Sequence, residues 1–525
     1  MQPSCVRQDQ IPGTSTFFAD YLYDFDKLSA FFPYSSWQAD SVAPTARSLI
    51  FPAARRAQIV SALATQNDNS AALNKLAQPN TVAIITGQQV GFLLGPAYTI
   101  FKALTAIKLA EHLNEQGISA VPIFWLATED HDLAEVDHAW VFNQEASCSK
   151  ISLAGSIVNG GPVGDVVLNE VPLAELRAAL GDLPFAGDVM KLVAASYQPG
   201  ATLGSAFRKL LEQTLKGLGL LYLDPLAAPI REVAAPFLGE AVERLPELLA
   251  ALRDRNSEIA AAGYHTQVHI DVDSSLFFLL KNGRRWPIRW KDGRFSSREG
   301  SYSPVELAAL GGQLSPNALL RPVMQDYLLP TASYIAGPSE TAYFAQSAVL
   351  YQKLLDRMPV IYPRNSFTLL DARAEKLLTR YGLCVPDLLD HRENVKGKLA
   401  SRLVPPALCD QIKSTQSFVS QSLARLQGSL REFDPTLEAA ARKSTAKIDY
   451  QFAKLERKIA RETMRRDERA TNDADYLLNL IYPERHLQER FYSILPFLAK
   501  HGLDLPQQLL TQIQLSCPDH MLRAF

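Results

Sequence analysis

Four titratable residues stand in a row at Glu129, Asp130, His131 and Asp132, directly after an apolar run over 121–128. Clustered carboxylates shift one another's proton affinity and can hold an imidazole or an ammonium group. Asp130, His131 and Asp132 are therefore read as candidate catalytic residues, with His131 the proton acceptor and a neighbouring aspartate orienting it. Glu129 is read with them as a substrate contact. A solvated turn capping a helix that opens at DLAEVD is the alternative.

A second group lies upstream in Gly87-Gln88-Gln89-Val90-Gly91, continuing to Gly95-Pro96. Glycines allow backbone N–H groups to approach an anionic ligand, and a following helix N-terminus favours such a ligand. Gly87, Gly91 and Gly95 are thus candidate nucleotide contacts, and Gln88 and Gln89 candidate substrate contacts. The loop has neither the GK[ST] of a Walker A motif nor the GxGxxG spacing. A tight strand-to-helix turn is the alternative.

Three further groups complete the set. In an extended segment His265, His269, Asp271 and Asp273 share one face and could contact substrate, bind a metal or catalyse proton transfer, with a half-exposed sheet face as the alternative. Arg321 and Arg364 could each clamp a carboxylate. Glu340 follows a Gly-Pro turn after another apolar run.

Positioning these groups requires particular elements. Residues 80–86 read as a buried strand, 98–113 as a helix and 121–128 as a second buried strand. Strand, loop, helix and strand within about 50 residues make a βαβ unit with a parallel pair. Ligands of open parallel sheets sit beyond the carboxyl ends of the strands, so the glycine loop and the 129–132 cluster are expected in one cleft. Residues 155–250 read as mostly helical, and strands are predicted at 267–270, 276–280 and 332–336. Residues 396–475 carry a net charge of about +5 and apolar residues at steps of three, four and seven. Phe433-Asp434-Pro435 interrupts that pattern, as the turn of a helical hairpin would. The expected organisation is a core over 1–395, a coiled-coil arm over 396–475 and a segment 476–525 that returns to the core.

Composition excludes several classes. The hydrophobic fraction is 47% and the charged fraction 21%, values of a globular protein. A net charge of -2 provides no electrostatic case for nucleic acid or a membrane surface. The first ten residues contain no apolar leader segment, and no apolar run reaches membrane-spanning length. Five scattered cysteines without a CxxC pattern argue against a disulfide framework and against structural zinc. A reducing cytoplasm is the expected location.

Taken together, TGQQVGFLLGPAYTIFKALTAIKLA, VPIFWLATEDHD, GYHTQVH, RPVMQDYLLPTASYIAGPSETAYFAQ and MPVIYPRNSFTLLD, in this order, resemble the bacillithiol biosynthesis cysteine-adding family, the BshC type. The resemblance implies an α/β fold: a Rossmann-like parallel-sheet core related to class I aminoacyl-tRNA synthetases, with connecting-peptide insertions. It also implies a C-terminal coiled-coil hairpin used in homodimerisation. The implied activity is amide-bond formation between L-cysteine and glucosaminyl-malate, with ATP/ADP and Mg²⁺ as the implied cofactors. A non-catalytic nucleotide-binding scaffold and a synthetase-like amino-acid-activating enzyme are the alternatives.

Overall fold

The computed structural model describes residues 5–153 and 160–525. These residues divide into two compact units, Met1–Thr368 with Gln488–Arg523, and Leu369–Leu487 with Ala524–Phe525. The first division thus falls before residue 395. The return segment begins at Gln488, with 476–487 counted in the second unit.

The centre of the first unit is a five-stranded, all-parallel sheet. Its strands are β1 (Val82–Gln89), β2 (Ala120–Ala127), β3 (Leu221–Leu223), β4 (Thr331–Ala336) and β5 (Val360–Pro363). Their order is β5-β4-β1-β2-β3. Both faces of such a sheet are covered, which is why these strands are apolar runs rather than alternating patterns. β4 is buried throughout, as is β1 from Val82 to Gly87. Helix α1 (Tyr98–Glu115) makes the crossover from β1 to β2 and buries residues nearly all round. The chain runs outward from β1 to β2 on one side and later returns to β4 on the other. The topological switch point therefore lies between β1 and β4, where ligands of this architecture bind.

β1 continues three residues beyond the predicted end, so Gly87, Gln88 and Gln89 pair with Trp125, Leu126 and Ala127 in the ladder. Gly87 is glycine for a packing reason: a Cβ there would lie 2.9 Å from the Trp125 carbonyl oxygen. The strand predicted at 267–270 is absent; those residues are irregular. An antiparallel sheet begins shortly after, with strands Ser274–Lys281, Arg284–Lys291, Arg294–Ser297, Gly300–Tyr302 and Leu314–Pro316. Two of its hairpins turn at Asn282-Gly283 and Asp292-Gly293, with positive φ at all four residues. That is the chemistry of a two-residue type I′ turn. The helices expected over 155–250 are present, from Leu173 onward.

Two more helices complete the switch-point region. Helix α2 (Arg321–Leu328) precedes β4, and α3 (Pro338–Leu354) follows it. Pro338 supplies the fixed φ of a first helical position, and the Glu340 carboxylate reaches back to accept the Gly337 N–H at 2.8 Å.

In the second unit, α4 (Pro406–Phe433) and α5 (Pro435–Arg466) pack side by side as the predicted hairpin. Asp434 makes the turn by accepting the Thr436 N–H at 2.7 Å, and Pro435 opens the second helix. No helix of the described residues is long and apolar enough to cross a membrane.

Candidate functional site

Gln88 and Gln89 are consecutive residues of a strand, so their side chains leave it in opposite directions. Each enters a different polar cluster at the carboxyl end of the sheet.

Gln89 joins the 129–132 cluster. Its amide donates to Asp130 at 2.6 Å and to Glu135 at 3.0 Å. Asp130 also accepts the His131 backbone N–H at 2.7 Å. Burial opposes ionisation of Asp130. These two hydrogen bonds and the nearby Arg285 guanidinium outweigh burial and hold its pKa below the ordinary aspartate value.

His131 has a different partner from the one expected. Its Nδ1 accepts from the Arg285 guanidinium at 2.9 Å, whereas the nearest Asp130 oxygen is 3.6 Å away. Arginine is a donor only, so the neutral ring carries its proton on Nε2. Burial and then the Arg285 charge lower the imidazole pKa, which keeps the ring neutral. His131 thus presents an N–H donor, not the lone pair of a general base.

Arg285 is fixed on three sides. It donates to Ser315 at 3.1 Å and to the Pro316 carbonyl at 3.0 Å, and its guanidinium stacks 3.8 Å from the Phe278 ring centre. Glu129 is buried and bound to Arg231 at 2.7 Å, and Arg231 also holds the Gly312 and Leu314 carbonyls. That pair fastens the end of β2 to the antiparallel sheet, which is a structural role. Asp132 is exposed.

Gln88 enters the second cluster, at the switch point. Its amide donates to the Tyr98 hydroxyl at 3.1 Å, and its carbonyl oxygen faces Lys102 at 3.3 Å. Lys102 is only 1% exposed. Its ammonium donates to the Gly87 carbonyl at 2.5 Å and lies 2.6 Å from Glu340. Glu340 also accepts from the Tyr334 hydroxyl at 2.8 Å. Burial alone would raise the Glu340 pKa; Lys102 and the added hydrogen bonds reverse this and keep the carboxylate ionised. Arg321 donates to the Tyr343 hydroxyl at 2.9 Å, and Tyr343 reaches Glu340 at 3.5 Å. Gln88, Arg321 and Glu340 are therefore brought together, Gln88 to Glu340 through Lys102 and Arg321 to Glu340 through Tyr343.

Two sets of predicted residues fall elsewhere. His265 and His269 are exposed on the irregular segment, and His269 pairs with Asp271 at 3.0 Å. Without a strand they share no face, and no contact joins them to either cluster. Arg364 is buried and ion-paired at 2.6 Å with Glu489, itself fully buried. Its charge is used to seat the C-terminal segment.

The glycine loop does not fit a phosphate. The N–H groups of Gly91, Leu93, Gly95 and Ala97 are spent on Gln89, Tyr197, Phe92 and Tyr492. Val90, Phe92, Leu93 and Leu94 are buried. Gly95 has φ +60° and ψ −154°, a conformation only glycine adopts readily. Gly87 thus belongs to β1, and Gly91 and Gly95 to a packed strand-to-helix turn with four N–H donors already committed, which does not favour the nucleotide role expected of them.

Comparison with known proteins agrees with this architecture. The family model described as "Bacillithiol biosynthesis BshC, N-terminal Rossmann-like domain" matches residues 1–365, and its "C-terminal coiled-coil domain" counterpart matches 367–523. The chain belongs to the BshC family.

Family relatives share almost its whole length. One from Solibacter usitatus is 49% identical over 520 residues, covering 99% of each chain. One from Koribacter versatilis is 36% identical, again covering 99% of each. One from Salinibacter ruber is 30% identical, covering 92% of each. All three bear the name "Putative cysteine ligase BshC". The α/β core with a parallel sheet and the helical arm of this BshC chain are those the sequence led one to expect.

Sequence reasoning missed Lys102, Tyr334 and Arg285, and gave Tyr343 no role although it lies in the segment 321–346 that is dense in chemically capable residues. Lys102 and Tyr334 looked like ordinary members of apolar elements. Arg285 was within reach, because Asn282-Gly283 and Asp292-Gly293 between apolar runs signal consecutive hairpins.

Proposed function

We propose that this chain is a carbon–nitrogen ligase that joins the carboxylate of L-cysteine to the amine of glucosaminyl-malate, giving bacillithiol. The observation that carries the reading is the pair of polar clusters entered by Gln88 and Gln89 at the carboxyl end of one parallel sheet. Joining an amino-acid zwitterion to an amine that bears carboxylates needs both anionic and cationic groups, and the two clusters together supply them. Family membership and the names of the relatives support the same reaction.

In this reading Asp130, ionised at neutral pH, holds an ammonium group. The Nε2–H of His131, oriented by Arg285, donates to the carboxyl oxygen on which charge develops. Arg321 pairs with a substrate carboxylate, the planar guanidinium matching its geometry. Amide formation from a free carboxylate requires activation, and ATP with Mg²⁺ is the co-substrate the family resemblance implies. The coiled-coil arm pairs two copies of the chain.

The test is incubation of purified protein with L-cysteine and glucosaminyl-malate, with and without ATP and Mg²⁺, followed by mass spectrometry of the thiols. Bacillithiol formed over many turnovers is the expected result. Its absence under every condition, with folded protein, overturns the proposal.

A further inference from the structure

The two ends of the first unit meet at a cluster of metal-ligating side chains. The short strand Cys5–Val6 pairs antiparallel with His520–Ala524, placing Cys5 opposite Met521. Cys517 and Asp519 lie just before that second strand. Cys5, Cys517 and Asp519 each offer one donor atom, and the three atoms lie within 4.8 Å of one another. We propose that these residues bind a Zn²⁺ ion.

Several observations support a site built for a borderline-soft cation. The Cys5 Sγ and Asp519 Oδ2 atoms are 3.6 Å apart. Tetrahedral zinc with sulfur at about 2.3 Å and oxygen at about 2.1 Å sets those two ligand types about 3.6 Å apart. These two ligands thus already have the separation that the ion requires, and Cys517 offers its donor atom within 4.8 Å of both.

The carboxylate is also oriented. Asp519 Oδ1 accepts from the Tyr23 hydroxyl at 2.6 Å, which leaves Oδ2 facing Cys5. The Tyr23 hydroxyl in turn accepts the Gln8 N–H at 2.8 Å. A ligand held by an outer hydrogen bond in this way is typical of protein metal sites. Positive charge stands close by: the Arg7 guanidinium stacks 3.8 Å from the Tyr23 ring centre, and Arg523 is within electrostatic reach of both cysteines. It offsets the excess negative charge of two thiolates and a carboxylate around a dication.

Cys5 is exposed and Cys517 half-buried, so an ion can enter. Binding releases both thiol protons to solvent and forms two Zn–S bonds and one Zn–O bond. Three protein ligands leave a fourth position for water or a small thiol. The bound ion would clip the first strand of the chain to its last. The scattered cysteines that argued against zinc in the sequence become neighbours through this strand pairing.

The experiment uses the full-length protein, freed of metal with a chelator and kept reduced by a phosphine. Titration with Co²⁺ is expected to give one equivalent with a thiolate-to-cobalt charge-transfer band, which Zn²⁺ then bleaches. Cys5→Ser and Cys517→Ser are each expected to lose the band and to weaken Zn²⁺ binding at least tenfold. Tyr23→Phe keeps all three ligands but removes the outer hydrogen bond to Asp519, together with the acceptor of the Gln8 N–H, and is expected to weaken binding by about tenfold. Cys384→Ser retains the wild-type titration, and far-ultraviolet circular dichroism verifies the fold of each variant. No stoichiometric binding by the reduced wild type overturns the proposal, as does binding that survives both cysteine substitutions. A Cys5–Cys517 disulfide formed in air by protein that binds no metal when reduced would also overturn it, in favour of a redox pair.

Discussion

The ammonium of Lys102, in the crossover helix, lies 2.6 Å from the carboxylate of Glu340, in the helix after β4. This ion pair, buried at Lys102 and half-buried at Glu340, spans the switch point of the sheet, and its Lys102 end also holds the Gly87 carbonyl and faces the Gln88 side chain. It therefore sets the spacing of β1 and β4 where substrate is proposed to enter.

Removing one partner strands a buried charge. Lys102→Met and Glu340→Gln are each expected to lower stability by about 3–5 kcal/mol. The double variant is expected to recover part of that loss. Urea denaturation of all four proteins measures the coupling. Single variants within about 1 kcal/mol of wild type would show that the pair holds nothing together.

Asp130 and His131 are expected to separate in kinetics. His131→Ala should lower kcat by on the order of 10²–10³, the loss typical of one donor to a developing oxyanion. Asp130→Asn should instead raise KM for an ammonium-bearing substrate, with a smaller effect on kcat. Both variants are expected to melt near wild type, since His131 is exposed and Asp130 only partly buried. Unchanged steady-state parameters in both would remove the cluster from the mechanism.

Arg285 provides an independent check on the His131 tautomer. Replacing it with Gln removes a neighbouring positive charge, one of the causes that lower the imidazole pKa. Proton–nitrogen correlation spectra across pH should show Nε2 protonated in wild type and the His131 titration moved upward in Arg285→Gln. A wild-type ring protonated on Nδ1 contradicts the arrangement described.

His520 is expected to make the first unit sensitive to acid. Its ring nitrogens meet the Ser366 hydroxyl at 2.5 Å and the Thr368 hydroxyl at 2.7 Å. Burial lowers its pKa to about 4. Between there and the ordinary histidine value near ~6.5, the unfolded chain binds the proton that the folded one refuses. This contribution to stability is complete above the unfolded value and falls as pH drops through that window, by about 3 kcal/mol in total. Denaturation series between neutral and acidic pH should show a shallower dependence for His520→Gln than for wild type. Equal slopes would exclude His520 as the titrating group.

The arm is expected to make a dimer. Phe418, Leu426 and Phe433 are 72%, 52% and 83% exposed on α4, far more than residues used only to pair α4 with α5 would be. Light scattering should give twice the chain mass for intact protein and the monomer mass after deletion of 400–470. A monomeric intact protein refutes the pairing.

The sequence alone determined what depends on neighbours within one element or one supersecondary unit. The βαβ unit was legible because apolar runs and a helical period alternate within about 50 residues, with glycine and proline marking the breaks. The arm was legible because its apolar stripes keep period over two long helices and stop at Asp434-Pro435. Side-chain partners were decided by tertiary structure. His131 is paired to an arginine 154 residues away, and Arg364 to a glutamate 125 residues away. Cys5 faces an aspartate 514 residues along the chain. No local pattern encodes such pairings, because they follow from which strands lie side by side. The glycine loop makes the same point: its composition suited an anion, and only the fold revealed that the N–H groups of Gly91, Leu93, Gly95 and Ala97 were already spent.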